Sequence, residues 1–519
     1  MLKNLFFFPG GVKPEHHKQE SVTQPIAAAP LPERLILPLK QSVGAAPRPV
    51  VTVGEKVCKG QPIAAAEGWI SASLHAPTSG TVVDIGNYPI AHPSGLAVPA
   101  IVIEADGRDA WGEHAPLDYE KRSPREIQNY LQAFGVVGLG GATFPSHVKL
   151  STHTPVEELI INGAECEPYI TCDDLLMRAR AADIIAGVAF LRDVLNAKRV
   201  VIAIENNKPE AAAALRAAAA AKGENFTIGC IPTCYPAGSL RQLIYTLTGK
   251  RAPTNVLPGE LGVQCFNVAT AYSVWRAVAH GEPVIRRVVT VSGNVRAPQN
   301  WEAPIGMAMD ALLQLSEPLA DTDGVIVGGP MMGFSAPTLN VPLMKGSNCL
   351  IARSPKLFPA RPPESPCIRC TSCAQACPQG LQPFELYWWS RARNFAKVEE
   401  YALSECIECG CCAYVCPASI PLVQYFRFAK SEIRAAAKEQ KMAESARARF
   451  EFRQFRAERE KAERAEKLAR AAAAQAAKLE AAGGAQHDAE SAKQAIIAAA
   501  VERASVANAA ADSAQTENH

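Results

Sequence analysis

No stretch among the 519 residues approaches the roughly 20 consecutive apolar residues that a membrane-spanning helix requires. The N-terminus, Met1-Leu-Lys-Asn-Leu-Phe-Phe-Phe-Pro-Gly-Gly, has too short an apolar run for an export signal, and its Pro-Gly-Gly ends it. An excess of one charge is missing too. Lys and Arg number 53 against 51 Asp and Glu, a net charge of +2, which argues against nucleic-acid binding and against a polybasic membrane anchor. These absences lead to the expectation of a soluble, cytoplasmic chain that meets a membrane only through other proteins. Its length suffices for three or more domains, and 48% apolar residues is ordinary for globular cores.

What the chain does have is cysteine, 16 in all. Half of them fall in Cys367-Ile-Arg-Cys370-Thr-Ser-Cys373-Ala-Gln-Ala-Cys377-Pro and Cys406-Ile-Glu-Cys409-Gly-Cys411-Cys412-Ala-Tyr-Val-Cys416-Pro. This is C-x2-C-x2-C-x3-C-P written twice, the two-cluster ferredoxin pattern. In that pattern the fourth cysteine of each run serves the other cluster. The expected ligand sets for two [4Fe–4S] clusters are Cys367, Cys370, Cys373 and Cys416, and Cys406, Cys409, Cys412 and Cys377. Cys411 falls out of register as a spectator. Zinc sites more often show paired C-x2-C without a closing proline, and disulfides would need an exported chain. Such clusters move electrons singly but name neither donor nor acceptor.

Residues 1–35 read as an extended arm, with His16 and His17 expected in solvent. Short β-type runs over 36–110 indicate a small sandwich or barrel. The phrases Val53-Gly-Glu-Lys-Val-Cys-Lys-Gly-Gln and His75-Ala-Pro-Thr-Ser-Gly-Thr-Val resemble the lipoyl and biotinyl carrier fold. No lysine lies between Gln61 and Pro77, so carrier chemistry is not expected. Over 124–283 helices alternate with strands, which predicts a parallel sheet. A helix is expected over 124–134, capped by Ser123, and a single long helix over 174–196. Strands are expected at 158–162, 198–204 and 226–231, and helices at 209–221 and 239–247. A second α+β module occupies 284–350, a two-cluster domain 360–430, and an Ala- and charge-rich tail 431–519. In that tail Glu460/Arg464, Glu463/Lys467 and Glu466/Arg470 have helical spacing, Phe450, Phe452 and Phe455 are candidates for local docking, and disorder is expected past Ala482.

The loop Gly138-Leu-Gly140-Gly141-Ala-Thr-Phe144-Pro-Ser-His-Val-Lys149 fails as a dinucleotide fingerprint, because Thr143 stands where a third glycine is needed. A three-glycine loop can still present backbone N–H groups to a flat ring or phosphate. Taken with Asn162-Gly-Ala-Glu165-Cys-Glu167, Tyr235-Pro-Ala-Gly238 and Asn267-Val-Ala-Thr270, it resembles the flavoprotein subunit of respiratory complex I. That resemblance implies a Rossmann-like domain holding FMN and admitting NAD(H), followed by a β-grasp module. It places Gly138, Gly140, Gly141, Lys149, Asn162 and Asn267 at FMN, with Tyr235 and Thr270 as further pocket candidates. Gly141, Phe144 and Glu167 fall to the nucleotide side, and Glu165 joins the cofactor-binding turn. Ala164, Ser239 and Leu240 replace acidic residues of that family. Cys166, Cys172, Cys230 and Cys234 lack metal-ligand spacing and read as small buried side chains.

The whole order of domains over about 1–430 resembles the C-type subunit of the Rnf (or Rsx) electron-transport complex. The resemblance implies a peripheral protein on the cytoplasmic side of the bacterial inner membrane. Its partners would be multi-helix membrane subunits and an iron–sulfur subunit. The implied function is electron exchange of the ferredoxin:NAD+ oxidoreductase type. An iron–sulfur adaptor without nucleotide binding, and a soluble diaphorase subunit of a hydrogenase or formate dehydrogenase, are the competing readings. Hydride transfer needs no side-chain nucleophile, and no catalytic residue is nominated.

Overall fold

The structure, a computed structural model, describes residues 5–152, 154–254, 256–481 and 488–513. Residues 1–431 form one compact unit and 432–519 a second. The first begins with two small antiparallel sheets. Arg34–Pro38, Ala97–Ala105, Gly80–Pro89 and Lys56–Val57 make one, and Arg48–Pro49, Pro62–Ala65 and Leu74–His75 the other. Leu37, Ile63, Ile101 and Ile103 are wholly buried between them, as the β-branched runs dictate.

The next layer is a four-stranded parallel sheet in the order Thr227–Ile231, Arg199–Glu205, Glu158–Gly163, Val263–Asn267. Its strands are buried along most of their length, as helices on both faces require. The capping box closes as expected: Glu126 N–H donates to Ser123 Oγ, and Ser123 N–H to Glu126 Oε2. The expected single helix over 174–196 is instead two, Cys172–Ala179 and Ala181–Leu195, broken where Arg180 leaves helical geometry. The second is apolar nearly all round and therefore buried, with Ile184, Val188 and Leu191 in the core. It packs on helix Val268–His280, where Gly187 lets the backbones approach closely.

A six-stranded mixed sheet follows: Ala27–Ala28, Gln299–Pro304, Arg286–Gly293, Cys349–Arg353, Gly324–Val327 and Phe334–Ser335. Its first strand comes from the N-terminal arm, which has no strand pattern of its own. The arm is bound along its length. Phe6 N–H donates to Thr246 O, Gly11 N–H to Ala376 O, and Val12 exchanges backbone bonds with Tyr235. His17 stacks on Tyr169 at 4.6 Å, and Asn300 Nδ2 holds Ser21 O at 2.9 Å. His16 and His17 are half-buried rather than solvent-exposed, because the arm lies against the parallel and mixed sheets' partners instead of in water.

Helix Leu422–Ala481 continues into the second unit, which also contains Asp488–Ser513. The latter helix replaces the expected disorder, as its alanine-rich composition favours helix over coil; residues 482–487 lie outside the described residues. Phe450, Phe452 and Phe455 dock nowhere, being 58%, 62% and 59% exposed. Glu466 pairs with Arg470 as spaced, whereas Glu460 and Glu463 turn back to Arg456 and Arg459. Among the described residues no helix is long and apolar enough to cross a membrane.

Candidate functional site

The two cysteine runs fold alike. In each, the third cysteine, Cys373 or Cys412, sits on a one-turn helix, Ser372–Gln375 or Cys411–Tyr414. The residues flanking the second cysteine have positive φ: Arg369 and Thr371 around Cys370, Glu408 and Gly410 around Cys409. This winding wraps backbone around a hollow and aims N–H groups at sulfur, as Glu408 N–H does at Cys406 Sγ (3.4 Å) and Leu381 N–H at Cys377 Sγ (3.4 Å). Cys377, Cys406, Cys409 and Cys412 line one cavity of about 350 Å3, and Cys367, Cys370, Cys373 and Cys416 another of about 390 Å3. Four thiols converging on each of two hollows is a donor set suited to an iron–sulfur cubane. Burial pushes the thiols of Cys373 and Cys406 up to about 11, so metal binding there displaces protons. Cys411 lines neither hollow and is wholly buried against Val12 and Tyr235.

The glycine loop lies at the carboxyl ends of the two strands that pair Asn162 with Asn267, where parallel α/β sheets receive ligands. Gly138 N–H donates to Phe144 O and Thr143 N–H to Gly138 O, so the loop closes on itself. Thr270 Oγ1, buried, accepts Leu139 N–H at 2.9 Å. A Cβ on Gly140 would stand 3.3 Å from Asn267 Cβ, which seats the loop on the start of helix Val268–His280. The amides of Gly140, Gly141 and Ala142 carry no hydrogen bond among the described residues and are exposed. Three free N–H donors at a sheet's carboxyl edge fit the ring or phosphate oxygens of a flavin nucleotide.

Beneath the loop lies a buried polar layer. Asn267 caps its helix through Oδ1 and donates Nδ2 to Asp173 at 2.6 Å. Glu165 accepts the Asp173 amide at 2.8 Å and so caps helix Cys172–Ala179. Burial, then the Glu165 charge, raises Asp173 to about 7. The Glu165 carbonyl takes two lysines, Lys18 at 2.7 Å and Lys208 at 3.2 Å, and Lys208 is paired with the fully buried Glu205 at 2.7 Å. Arg287, buried, reaches Leu139 O at 2.5 Å. Lys149 Nζ is held by Cys265 O at 3.0 Å, and burial lowers its pKa. Lys18, Asp173, Lys208 and Arg287 had no motif to mark them.

Two expected members stand apart from the glycine loop. Tyr235 is 2% exposed and donates its hydroxyl to Cys409 O at 2.6 Å. Glu167 accepts the amides of Met331 and Met332 at 2.7 and 2.9 Å. Both side chains therefore serve the joint with the cysteine domain. Asn162 donates to Gly238 O at 2.9 Å, and Gly238 is required because any Cβ there would overlap the Ala164 carbonyl. Ser239 bonds Gln242, and Leu240 is partly exposed, so neither supplies a charge. Of the four isolated cysteines only Cys172 is fully buried; Cys166, Cys230 and Cys234 are half-buried.

Three family models match in order: the RnfC barrel sandwich hybrid domain over 6–108, the Nuo51 FMN-binding domain over 131–276, and the 4Fe-4S dicluster domain over 366–420. The C-type subunit of the ion-translocating oxidoreductase complex of Pseudomonas aeruginosa is 47% identical over 461 residues, which is 87% of this chain and 59% of that one. Its counterpart in Citrobacter koseri is 46% identical over 454 residues, 87% and 64% of the two chains. The chain thus spans about three-fifths of the length of these relatives. Among solved structures, NAD+-reducing [NiFe]-hydrogenase in its air-oxidised state aligns with a TM-score of 0.41 at 21% identity, covering 54% of each chain. The H2-reduced state gives 0.44 at 20%, over 60% of this chain and 63% of that one. With a barrel-sandwich domain, an FMN-binding domain and a 4Fe-4S dicluster domain in this order, the chain belongs to the RnfC family, the C-type subunits of Rnf complexes.

Proposed function

We propose that this chain passes electrons between NAD(H), FMN and two [4Fe–4S] clusters. It would do so as a peripheral part of a membrane-bound, ion-translocating redox complex of the ferredoxin:NAD+ oxidoreductase type. The observation that carries the reading is that one compact unit contains both the free-amide glycine loop and two hollows lined by four cysteines each. When bound, a flavin exchanges hydride with a nicotinamide and electrons singly with iron–sulfur clusters.

The chain's own residues do the holding and the shielding. Gly140, Gly141 and Ala142 offer N–H donors, and Thr270 and Arg287 fix the loop from below through Leu139. Asn162 and Asn267 hold the edges of the two adjoining strands in register. Cys377, Cys406, Cys409 and Cys412 are assigned to one cluster, and Cys367, Cys370, Cys373 and Cys416 to the other. The sheet of 286–353 is read as the β-grasp module. Partners are the membrane subunits and an iron–sulfur subunit of such a complex, with the chain on the cytoplasmic face.

Iron and labile sulfide should each approach about eight per chain, the content of two cubanes. Cys373→Ser should lose one cluster, and Cys411→Ser should keep both. Equal loss in the two variants refutes the ligand sets. A second reading, an adaptor without nucleotide binding, is favoured by Glu167, whose carboxylate is already taken by Met331 and Met332. The FMN-loaded protein separates the two: reduction of an artificial acceptor by NADH supports the first reading, and no turnover despite bound flavin supports the adaptor.

A further inference from the structure

The two cysteine loops are near-copies, yet their second cysteines are held differently. The carbonyl of Cys370 accepts from its own neighbour, Thr371 Oγ1, at 2.7 Å, and Cys370 is exposed. The corresponding carbonyl of Cys409 accepts from Tyr235, some 170 residues earlier in the chain, at 2.6 Å. Cys409 is buried, and Val12, Ala376 and Cys411 close the surroundings. The next residue, Gly410, has φ of +83°, and a Cβ there would stand 2.8 Å from Met331 O. Met331 is itself pinned by the Glu167 carboxylate. Tyr235 and Glu167 thus grip one cysteine loop from two sides, and nothing equivalent grips the other among the described residues.

We propose that Tyr235, supported by Glu167, is a positioning residue that sets the geometry and reduction potential of the cluster at Cys377, Cys406, Cys409 and Cys412 alone. The inference rests on the ligand sets assigned above. A hydrogen bond in a dry pocket is stronger than one in water, and cluster potentials respond to hydrogen bonding and solvent exposure. The hydroxyl proton offsets the negative end of the Cys409 carbonyl. Removing it leaves that dipole uncompensated beside the cluster and makes reduction harder. The two clusters of this chain are therefore made unequal by residues outside the cysteine motifs.

The test uses the full reconstituted chain in a redox titration followed by electron paramagnetic resonance. Cys409→Ala identifies which of the two signals belongs to this cluster by abolishing it. Tyr235→Phe should lower the midpoint of that signal and alter its line shape, and leave the other signal in place. Thr371→Val should move only the other. If Cys409→Ala keeps both signals and full iron content, the ligand sets are wrong. If it removes one signal, but Tyr235→Phe moves neither or moves both alike, the role of Tyr235 is refuted. Loss of this cluster alone in Tyr235→Phe supports positioning, and loss of both clusters overturns it.

Discussion

Gly187→Ala sets two effects against each other. Gly187 lies within helix Ala181–Leu195, where alanine is ordinarily preferred to glycine by about 1 kcal/mol. Its Cβ would, however, overlap the Ala271 carbonyl, standing 2.8 Å from the carbonyl carbon and 3.3 Å from Trp275 Cβ. Backbone cannot rotate aside as a side chain does, so helix Val268–His280 must move. Overpacking of this kind costs about 3 kcal/mol at its upper end, so the net change is about 2 kcal/mol of destabilisation. For a domain of this size that corresponds to a fall in Tm of roughly 4–8 °C. Differential scanning fluorimetry of the apo chain reads it directly. The same displacement carries Asn267 and Thr270 away from the glycine loop, so FMN affinity, followed by quenching of flavin fluorescence, should fall as well. A raised Tm would show that helix propensity wins and that the close approach is not tight.

Two further perturbations concern buried charges. Glu205→Ala strands the Lys208 ammonium, which burial alone would push down and which Glu205 and Glu165 hold raised. The loss should be about 3–5 kcal/mol in urea unfolding, and Glu205→Gln should recover part of it. Lys345 is wholly buried between Ser73 O and Gly135 O, and burial lowers its pKa to about 7. Because the unfolded chain keeps that proton to higher pH, Lys345 makes stability rise between about pH 7 and pH 10.5. Lys345→Met should flatten that slope, and an unchanged slope in pH-dependent unfolding would refute the assignment.

Local pattern carried much of this structure. The cysteine spacing anticipated the two hollows, and hydrophobic alternation placed helix Pro209–Ala221 to the residue and most strands to within one or two. Strand Val263–Asn267 and helix Val268–His280 went unassigned as elements, although their junction was singled out as a motif. What failed depends on partners distant in sequence. Tyr235 read as part of the flavin pocket because its motif neighbours lie there, but its hydroxyl is claimed by a carbonyl in another domain. Lys18 looks like one of many arm charges until the Glu165 and Ile170 carbonyls surround it. Arg180 interrupts an otherwise helical stretch with no glycine or proline to announce the break.

The N-terminal arm also constrains the order in which the chain can assemble. Residues 6–28 are made first, yet their partners include Tyr235, Asn300 and Ala376, which are made much later. Until then Lys18 has no carbonyls to solvate it and the Ala27–Ala28 strand no sheet to join. The arm must therefore close last, after the domains it crosses have folded. Gly10 then lies directly on the backbone of Ala376 and Cys377, within 2.7–2.8 Å of any Cβ it might carry. Closing the arm is in effect a latch on the loop that bears Cys377, fastened only when every domain beneath it is in place.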